Sequence, residues 1–581
     1  MAVRVRVPLA APAKKQYIVY HIMRKNLILF ASAIAMMAMT SCSSKLGALS
    51  ADNFNVVPNP LESDAGQVPA TINGKFPEKY MKKKAVVNVT PELRTSTGEV
   101  FRGQPATFQG EKVQGNDQTI SYKVGGNYTM RSNFAYQPSM QQSELWLTFD
   151  ARVGNKSVNV PAVKVANGVI STSELYKNLL SSTGACLATD NFQQMVAQKQ
   201  EAQIKFLVNQ ANIRQSELKT NSISEFVNLL KKINRESEKL AIKNVEVLGF
   251  ASPEGSYDFN DRLANKRQDV AADYVDKQLK DNKLSSEIDT RYTAEDWDGF
   301  QQLVQASNIQ DKDVILRVLS MYKDPEERER QIRNMSEGYR ELAEGILPEL
   351  RRSRLIVNYN VIGRSNDQIM QQFNDDASQL SVEELLYAAT LTDNNGQKEK
   401  IYQKTAQLYP NDVRALNNLA VLAFNNGNSN AAQNFLSQAL RVMSNSPEAN
   451  ANLGLIALQN GDVATAENYI AKAVGANGLD NVLGALNIAK GNYQQAAANL
   501  KNDYTNLAAL AEILNKNYAS AEVILDGVKN KDAMTSYLQA INFARQGNVA
   551  PAAQALQQAL RLNPNLANYA AQDLELAKVS K

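Results

Sequence analysis

Leu419-Ala420, Gly427, Ala432 and Ala439 return as Leu453-Gly454, Gly461, Ala466 and Ala473 after about 34 residues, a period that marks stacked helix pairs. A shorter unit follows with Leu483-Gly484, Gly491 and Ala496. Asn517-Tyr518 with Ala521 reads as a degenerate unit, and Gly547, Ala552, Ala559 and Pro564 close the series. Small residues are needed where two helices approach closely, and a loop glycine or asparagine lets the chain reverse between them. The span 381–581 therefore reads as an all-α solenoid.

Upstream the pattern changes. Within 53–198 short runs alternate apolar and polar residues, as in Ala85-Val86-Val87-Asn88-Val89, Thr119-Ile120-Ser121-Tyr122-Lys123-Val124 and Glu144-Leu145-Trp146-Leu147-Thr148-Phe149. Such alternation predicts half-buried antiparallel strands, and Gly125-Gly126-Asn127 and Gly154-Asn155 supply turns, so the expectation is a β-sandwich. Aromatic residues at strand spacing are read as core. From 199 to 366 strands and helices mix: a strand at Gln203-Ile204-Lys205-Phe206-Leu207-Val208, a helix over 223–238, a strand at Val245-Glu246-Val247-Leu248, helices over 260–279 and much of 296–347, and a closing strand at Leu355-Ile356-Val357-Asn358-Tyr359. This predicts an α/β or α+β domain. Residues 42–52 and 367–380 are expected to be linkers.

The start of the chain reads as an address. Met23-Arg24-Lys25-Asn26 precedes the apolar run 27–39, then Met39-Thr40-Ser41-Cys42. A charged start and a short apolar stretch make 23–41 a secretory signal. The last four residues resemble a bacterial lipobox, which implies lipidation of Cys42 and a mature chain beginning there. Residues 1–22 are then upstream sequence from a misassigned start codon. Ser43-Ser44-Lys45-Leu46 lacks the acidic cluster that resembles a surface-export signal, so the expected location is the outer membrane, lipid-anchored and facing the periplasm.

Composition excludes several chemistries. The single histidine, His21, lies in the leader, so imidazole-based catalysis and His-ligated zinc are not expected of the mature chain. Two cysteines, Cys42 and Cys186, make neither a disulfide framework nor a four-thiolate metal site. The formal charge of +4 includes six basic leader residues; without them 57 basic face 59 acidic residues, and nucleic-acid binding is not expected. Glu295 and Asp296 are adjacent acids at a helix start, where capping is the better reading than catalysis. No catalytic residue, cofactor or metal ligand is therefore assigned, and the chain is expected not to be an enzyme.

The segment Gly249-Phe250-Ala251-Ser252-Pro253-Glu254-Gly255-Ser256-Tyr257-Asp258-Phe259-Asn260-Asp261-Arg262-Leu263-Ala264-Asn265-Lys266-Arg267 resembles the OmpA-like peptidoglycan-binding domain, with Gly249, Gly255, Asn260, Leu263 and Arg267 on its motif positions. Further similarity at Asn212-Ile213-Arg214, Glu295-Asp296-Trp297 and Pro348-Glu349-Leu350-Arg351-Arg352 resembles a variant common in Bacteroidetes, which implies an α/β OmpA-like domain with a helical insertion, about 296–347, before the last strand. The resemblance implies that Arg267 grips the carboxylate of the diaminopimelate side chain of the wall peptide in a two-point contact. Asn260 and Ser252 join it in the site, Ser252 standing where the family has an aspartate for the ligand's ammonium group. Glu254 is one substitute for that acid. The alternative is a solvated Glu254 and an Arg267 on the surface, paired with Asp261 or Asp273.

The repeats are similar to tetratricopeptide repeats, a resemblance that implies a concave face lined by Arg414, Asn417, Asn418 and Phe424 and an envelope-protein partner. Two functions follow as expectations. One is a tether from the outer membrane to peptidoglycan that scaffolds envelope proteins. The other is an accessory subunit of an outer-membrane assembly, secretion or fimbrial machine whose OmpA-like domain no longer binds peptidoglycan.

Overall fold

The computed structural model describes residues 46–579 apart from 310 and 335. The leader and Cys42 lie outside these residues. The chain divides into two compact units, Met1–Leu187 with Ala420–Lys581, and Ala188–Leu419.

The first part of the discontinuous unit is sheet-rich, as its alternation requires. Its strands are β1 (Phe54–Val57), β2 (Gln67–Phe76), β3 (Ala85–Thr95), β4 (Val100–Arg102), β5 (Ala106–Gly110), β6 (Gln118–Ile120), β7 (Gly126–Ala135), β8 (Ser143–Val153) and β9 (Lys156–Asn167). One sheet has the order β1-β2-β7; the other runs β6-β5-β3-β8-β9, with β4 on β3. Val68, Ile72 and Phe76 of β2 share a core with Val87 and Val89 of β3 and Leu145 and Leu147 of β8. Phe76, Phe108 and Tyr128 pack their rings 4.2–5.3 Å apart within it. The strand expected over 119–124 stops at Ile120, because Gly125, at φ +73°, donates its N–H to Ser121 O and reverses the chain. After β9 the chain forms a 3₁₀ turn, Thr172–Leu175, and a helix absent from the sequence reading, α1 (Tyr176–Thr183).

The continuous unit holds β10 (Met195–Lys205), α2 (Asn221–Arg235), β11 (Leu240–Phe250), α3 (Tyr257–Asp281), β12 (Glu287–Thr293) and β13 (Arg352–Ile362). The sheet order is β10-β13-β11-β12, with β11 and β12 parallel and the other pairs antiparallel. α2 buries Ile223, Phe226, Leu230 and Ile233, an apolar stripe at helical spacing, against Val245, Val247, Leu355 and Val357. α3 crosses β11 at Gly249, where a Cβ would stand 2.4 Å from Ala264 O, so only glycine fits. Between β12 and β13 lie α4 (Trp297–Ala306), α5 (Lys312–Met321), α6 (Pro325–Arg333), α7 (Ser336–Glu341) and α8 (Leu347–Leu350). These helices have their own core, with Phe300, Val304, Ile315, Leu319 and Leu350. α9 (Asn366–Asp376) occupies the span read as a linker, started by Ser365 in a capping box with Gln368. α10 (Val382–Ala388) and α11 (Asn395–Leu408) follow, and the unit ends at Leu419 within α12 (Arg414–Asn425).

The rest of the discontinuous unit is helical: α13 (Ser429–Val442), α14 (Pro447–Gln459), α15 (Val463–Ile470), α16 (Leu479–Ala489), α17 (Tyr493–Asn499), α18 (Asn506–Leu514), α19 (Tyr518–Gly527), α20 (Ala533–Arg545), α21 (Val549–Leu562) and α22 (Leu566–Gln572). α14 pairs with α15, α16 with α17, α18 with α19 and α20 with α21. Ala466, Ala496, Ala521 and Ala552 are fully buried at these contacts.

Candidate functional site

The end of β11, the following loop and α3 bring the four expected wall-binding residues together, but as a brace. Arg267 is 1% exposed. Its Nη1 donates to Phe250 O at 2.9 Å, Nε to Gln210 O at 3.0 Å and Nη2 to Leu207 O at 3.2 Å, and its guanidinium lies over the Phe206 ring. Both expectations for Arg267 need correction. It offers no open two-point contact to an outside carboxylate, because its fork is turned onto main-chain carbonyls. Nor is it a surface residue paired with Asp261 or Asp273. Burial, reinforced by the neighbouring Arg351, pulls its guanidinium down to about 10 against the opposing pull of Glu254.

Glu254 is likewise engaged. Its carboxylate accepts from Arg351 at 2.7 Å and from the Ser252 hydroxyl at 2.9 Å. Ser252 therefore supports Glu254 instead of facing a ligand, and Asn260, buried beneath the loop, donates to Glu254 O at 3.3 Å. The N–H of Gly255 donates to Glu329 of α6 at 2.9 Å, so the helical insertion places a carboxylate against the loop. Asp296 caps α4 by accepting from Gly299 N–H at 2.8 Å and pairs with Arg352 at 3.1 Å. That is the capping role expected from its position, and Glu295 accepts from the Trp297 indole at 2.9 Å.

The second candidate is the inner face of the repeats. In the continuous unit, the Asn418 amide takes both polar groups of one residue: Ala188 N–H donates to Oδ1 at 2.9 Å and Nδ2 donates to Ala188 O at 3.1 Å. Arg414 is held by Asp412 at 2.7 Å and Glu383 at 3.0 Å, and its Nη1 donates to Asp190 O at 3.0 Å. Asn417 is buried and its Nδ2 donates to Asn418 Oδ1 at 3.2 Å. Phe424 is a core residue, 3% exposed. Of the four expected surface residues, then, Arg414 and Asn418 meet main chain, and Asn417 and Phe424 are buried.

In the discontinuous unit the arrangement recurs. Cys186 N–H donates to Asn452 Oδ1 at 2.7 Å and Asn452 Nδ2 donates to Cys186 O at 2.9 Å. Asn477 Nδ2 adds a bond to Leu187 O at 3.3 Å. α1 packs against α14, α16 and α18, and its Tyr176 hydroxyl donates to Leu458 O at 3.3 Å. Residues 449–458 of α14 and all of α18 are buried without interruption. A helix buried all round is covered on every side, and here the chain itself supplies the cover.

Residues 401–434 and 447–478 each match a family model of the tetratricopeptide repeat. The C-terminal part of the chain carries tetratricopeptide repeats. A tetratricopeptide repeat protein from Parabacteroides merdae is similar at 17% identity, over 37% of this chain and 91% of that one, with a TM-score of 0.27. The Cut9-Hcn1 hetero-tetramer of APC/C is similar at 17% identity, over 36% of this chain and 45% of that one, with a TM-score of 0.31. No curated protein matches the chain.

Asn452, which holds Cys186, is the residue of this face that sequence reasoning missed. Its signal was present: it stands one tetratricopeptide period of about 34 residues after Asn418, at the same place before the Leu-small pair. What the sequence does not mark is the segment it holds, Gly184-Ala185-Cys186-Leu187, which has neither a helix nor a strand pattern.

Proposed function

We propose that the chain is a non-enzymatic scaffold of a bacterial cell envelope, anchored at the outer membrane by lipid on Cys42 and facing the periplasm. In this reading it is an accessory subunit of a larger outer-membrane assembly. The tetratricopeptide repeats carry the proposal, since stacked helix pairs present extended surfaces to protein partners.

The geometry around Arg267 favours this version over a wall tether. A diaminopimelate carboxylate needs a cation free to form two parallel bonds, and the Arg267 guanidinium is buried and gives three of its five N–H donors to main-chain carbonyls while Glu254 pairs with Arg351. The αβ domain then keeps an OmpA-like fold without the family's ligand. Sedimentation of the purified protein with diaminopimelate-containing peptidoglycan is expected to leave it in the supernatant. Binding that disappears in Arg267→Ala, with the fold intact by circular dichroism, would reinstate the tether. Crosslinking in membranes, followed by purification of the chain, is expected to recover outer-membrane proteins in fixed ratio; recovery of the chain alone would defeat the scaffold reading.

A further inference from the structure

On the face of the larger sheet turned away from its core, β8 places Glu144 and Trp146 two residues apart and so on one side of the strand. The register sets Trp146 opposite Glu92 of β3 and Lys164 of β9. The indole N–H donates to Glu144 Oε2 at 3.0 Å, and the Arg94 guanidinium lies over the ring, 5.0 Å from its centre. Both charges beside the ring are offset. Arg94 donates from Nε and Nη2 to Glu92 at 3.1 and 2.8 Å, and Lys164 holds Glu144 at 2.5 Å, which keeps that carboxyl below its ordinary value. The indole is thus fixed in orientation before any ligand arrives, which lowers the entropy cost of binding on it.

Trp146 forms part of the wall of a cavity of about 580 Å³, within the range of about 300–1,000 Å³ usual for small-molecule sites. Much of the remaining wall is amide: Gln141, Gln142, Asn167 at the end of β9 and Gln572 at the end of α22, with the Thr95 and Ser96 hydroxyls beside them. Ser96 Oγ donates to Gln142 Oε1 at 3.0 Å, which leaves the Gln142 NH₂ group to the cavity. The side-chain amides of Asn167 and Gln572 make no hydrogen bond among the described residues. An amide offers a donor and an acceptor without charge, as a hydroxyl does, so this wall matches a ligand whose polar groups are hydroxyls. An anion would meet the Glu144 carboxylate and an arginine already engaged. A wholly apolar ligand would strip water from the amides and give them no partner.

We infer that this cavity is a binding site for a neutral glycan, with the C–H face of one sugar ring on the Trp146 indole and its hydroxyls bonded to the amides of Gln142, Asn167 and Gln572. A sugar ring has that pairing of surfaces, apolar on its faces and hydroxylated at its rim, and an aromatic side chain beside planar polar groups is its complement. The site goes beyond the scaffold reading and stands without it.

The chain has two tryptophans, Trp146 and Trp297, so the full chain carrying Trp297→Phe reports on the cavity by its fluorescence. The probes are triacetylchitotriose, maltotriose and inorganic phosphate. At least one trisaccharide is expected to change the Trp146 emission saturably, with a Kd on the order of 1 mM. A response to the acetylated sugar alone assigns an amino-sugar glycan, and a response to maltotriose alone a hexose glycan. Saturation-transfer NMR with the unaltered chain reads the same binding without the substitution. Asn167→Ala together with Gln572→Ala removes two exposed side chains and is expected to raise the Kd about tenfold. Silence from both sugars up to about 10 mM, a response to phosphate alone, or a Kd unchanged in the double variant would each overturn the proposal. None of these results bears on the crosslinking test of the scaffold reading.

Discussion

Arg545 of α20 reaches Glu62, 483 residues earlier in the chain, at 2.7 Å, and the same guanidinium holds Glu575 at 2.7 Å. Thr172 also donates to Glu575, at 2.9 Å, so the sheet-rich segment and the last repeat share one buried ionic cluster. Removing one member of such a cluster strands its partners. Arg545→Met is expected to cost about 3 kcal/mol, because it leaves Glu575 buried and uncompensated, and calorimetry of the full chain measures it. Glu62→Gln, at the more exposed end, is expected to cost less than about 1 kcal/mol.

Asp573 accepts from the Tyr537 hydroxyl at 2.6 Å. Burial raises its carboxyl above the ordinary value, opposed by the Tyr537 hydrogen bond and added to by Glu575. The folded state therefore binds this proton more tightly than the unfolded state. Stability contributed by this group is greatest below the unfolded value of about 4, and falls as pH rises from there through the raised folded value. Asp573→Asn, which keeps an acceptor for Tyr537, is expected to flatten that part of the stability profile. An unchanged slope in urea titrations between those two values would show that the carboxyl is not shifted.

Gly249→Ala is expected to disrupt the αβ domain. The new Cβ would meet Ala264 O at 2.4 Å and Gln268 N at 2.7 Å, both main chain, so α3 must lift from β11. A loss of about 3 kcal/mol or failure to accumulate is expected, at the upper end of overpacking costs. Gly454→Ala, where the Cβ meets the flexible Ile470 side chain at 2.6 Å, is expected to cost about 1–2 kcal/mol.

Arg267→Lys is expected to lose nearly as much stability as Arg267→Met, about 2–4 kcal/mol. A lysine brings one ammonium to a place where a planar fork meets three carbonyls on two separate segments. Full stability of the lysine variant in thermal melts would mean that charge and not the fork holds the loop.

Strong periodicity made most of the elements legible. The repeats of small residues placed α14 to α17 and α20 to α21, and alternation placed β3 and β8. β12 escaped because Ile288 is the single aliphatic residue in Glu287–Thr293; a strand largely exposed at a sheet edge carries little hydrophobic signal. α1 escaped because its burial is created by α14, α16 and α18, far away in sequence. The motif from Gly249 to Arg267 located a real cluster, with Arg267, Ser252, Glu254 and Asn260 together. It did not disclose which way the groups face, since Arg351 and Glu329, which satisfy Glu254 and Gly255, come from the inserted helices and the chain after them.

The discontinuity of the first unit has a consequence for how the chain is made. A ribosome delivers Ala188–Leu419 whole, so that unit has every residue it needs once Leu419 has emerged. Residues 46–187 do not: the partners of Glu62, Thr172 and Cys186 are Arg545, Glu575 and Asn452, which come last. At typical rates of synthesis that delay is on the order of tens of seconds. During it the apolar face of α1 and the segment 184–187 are without their cover, which makes the newborn N-terminal segment a client for any holding chaperone along its route.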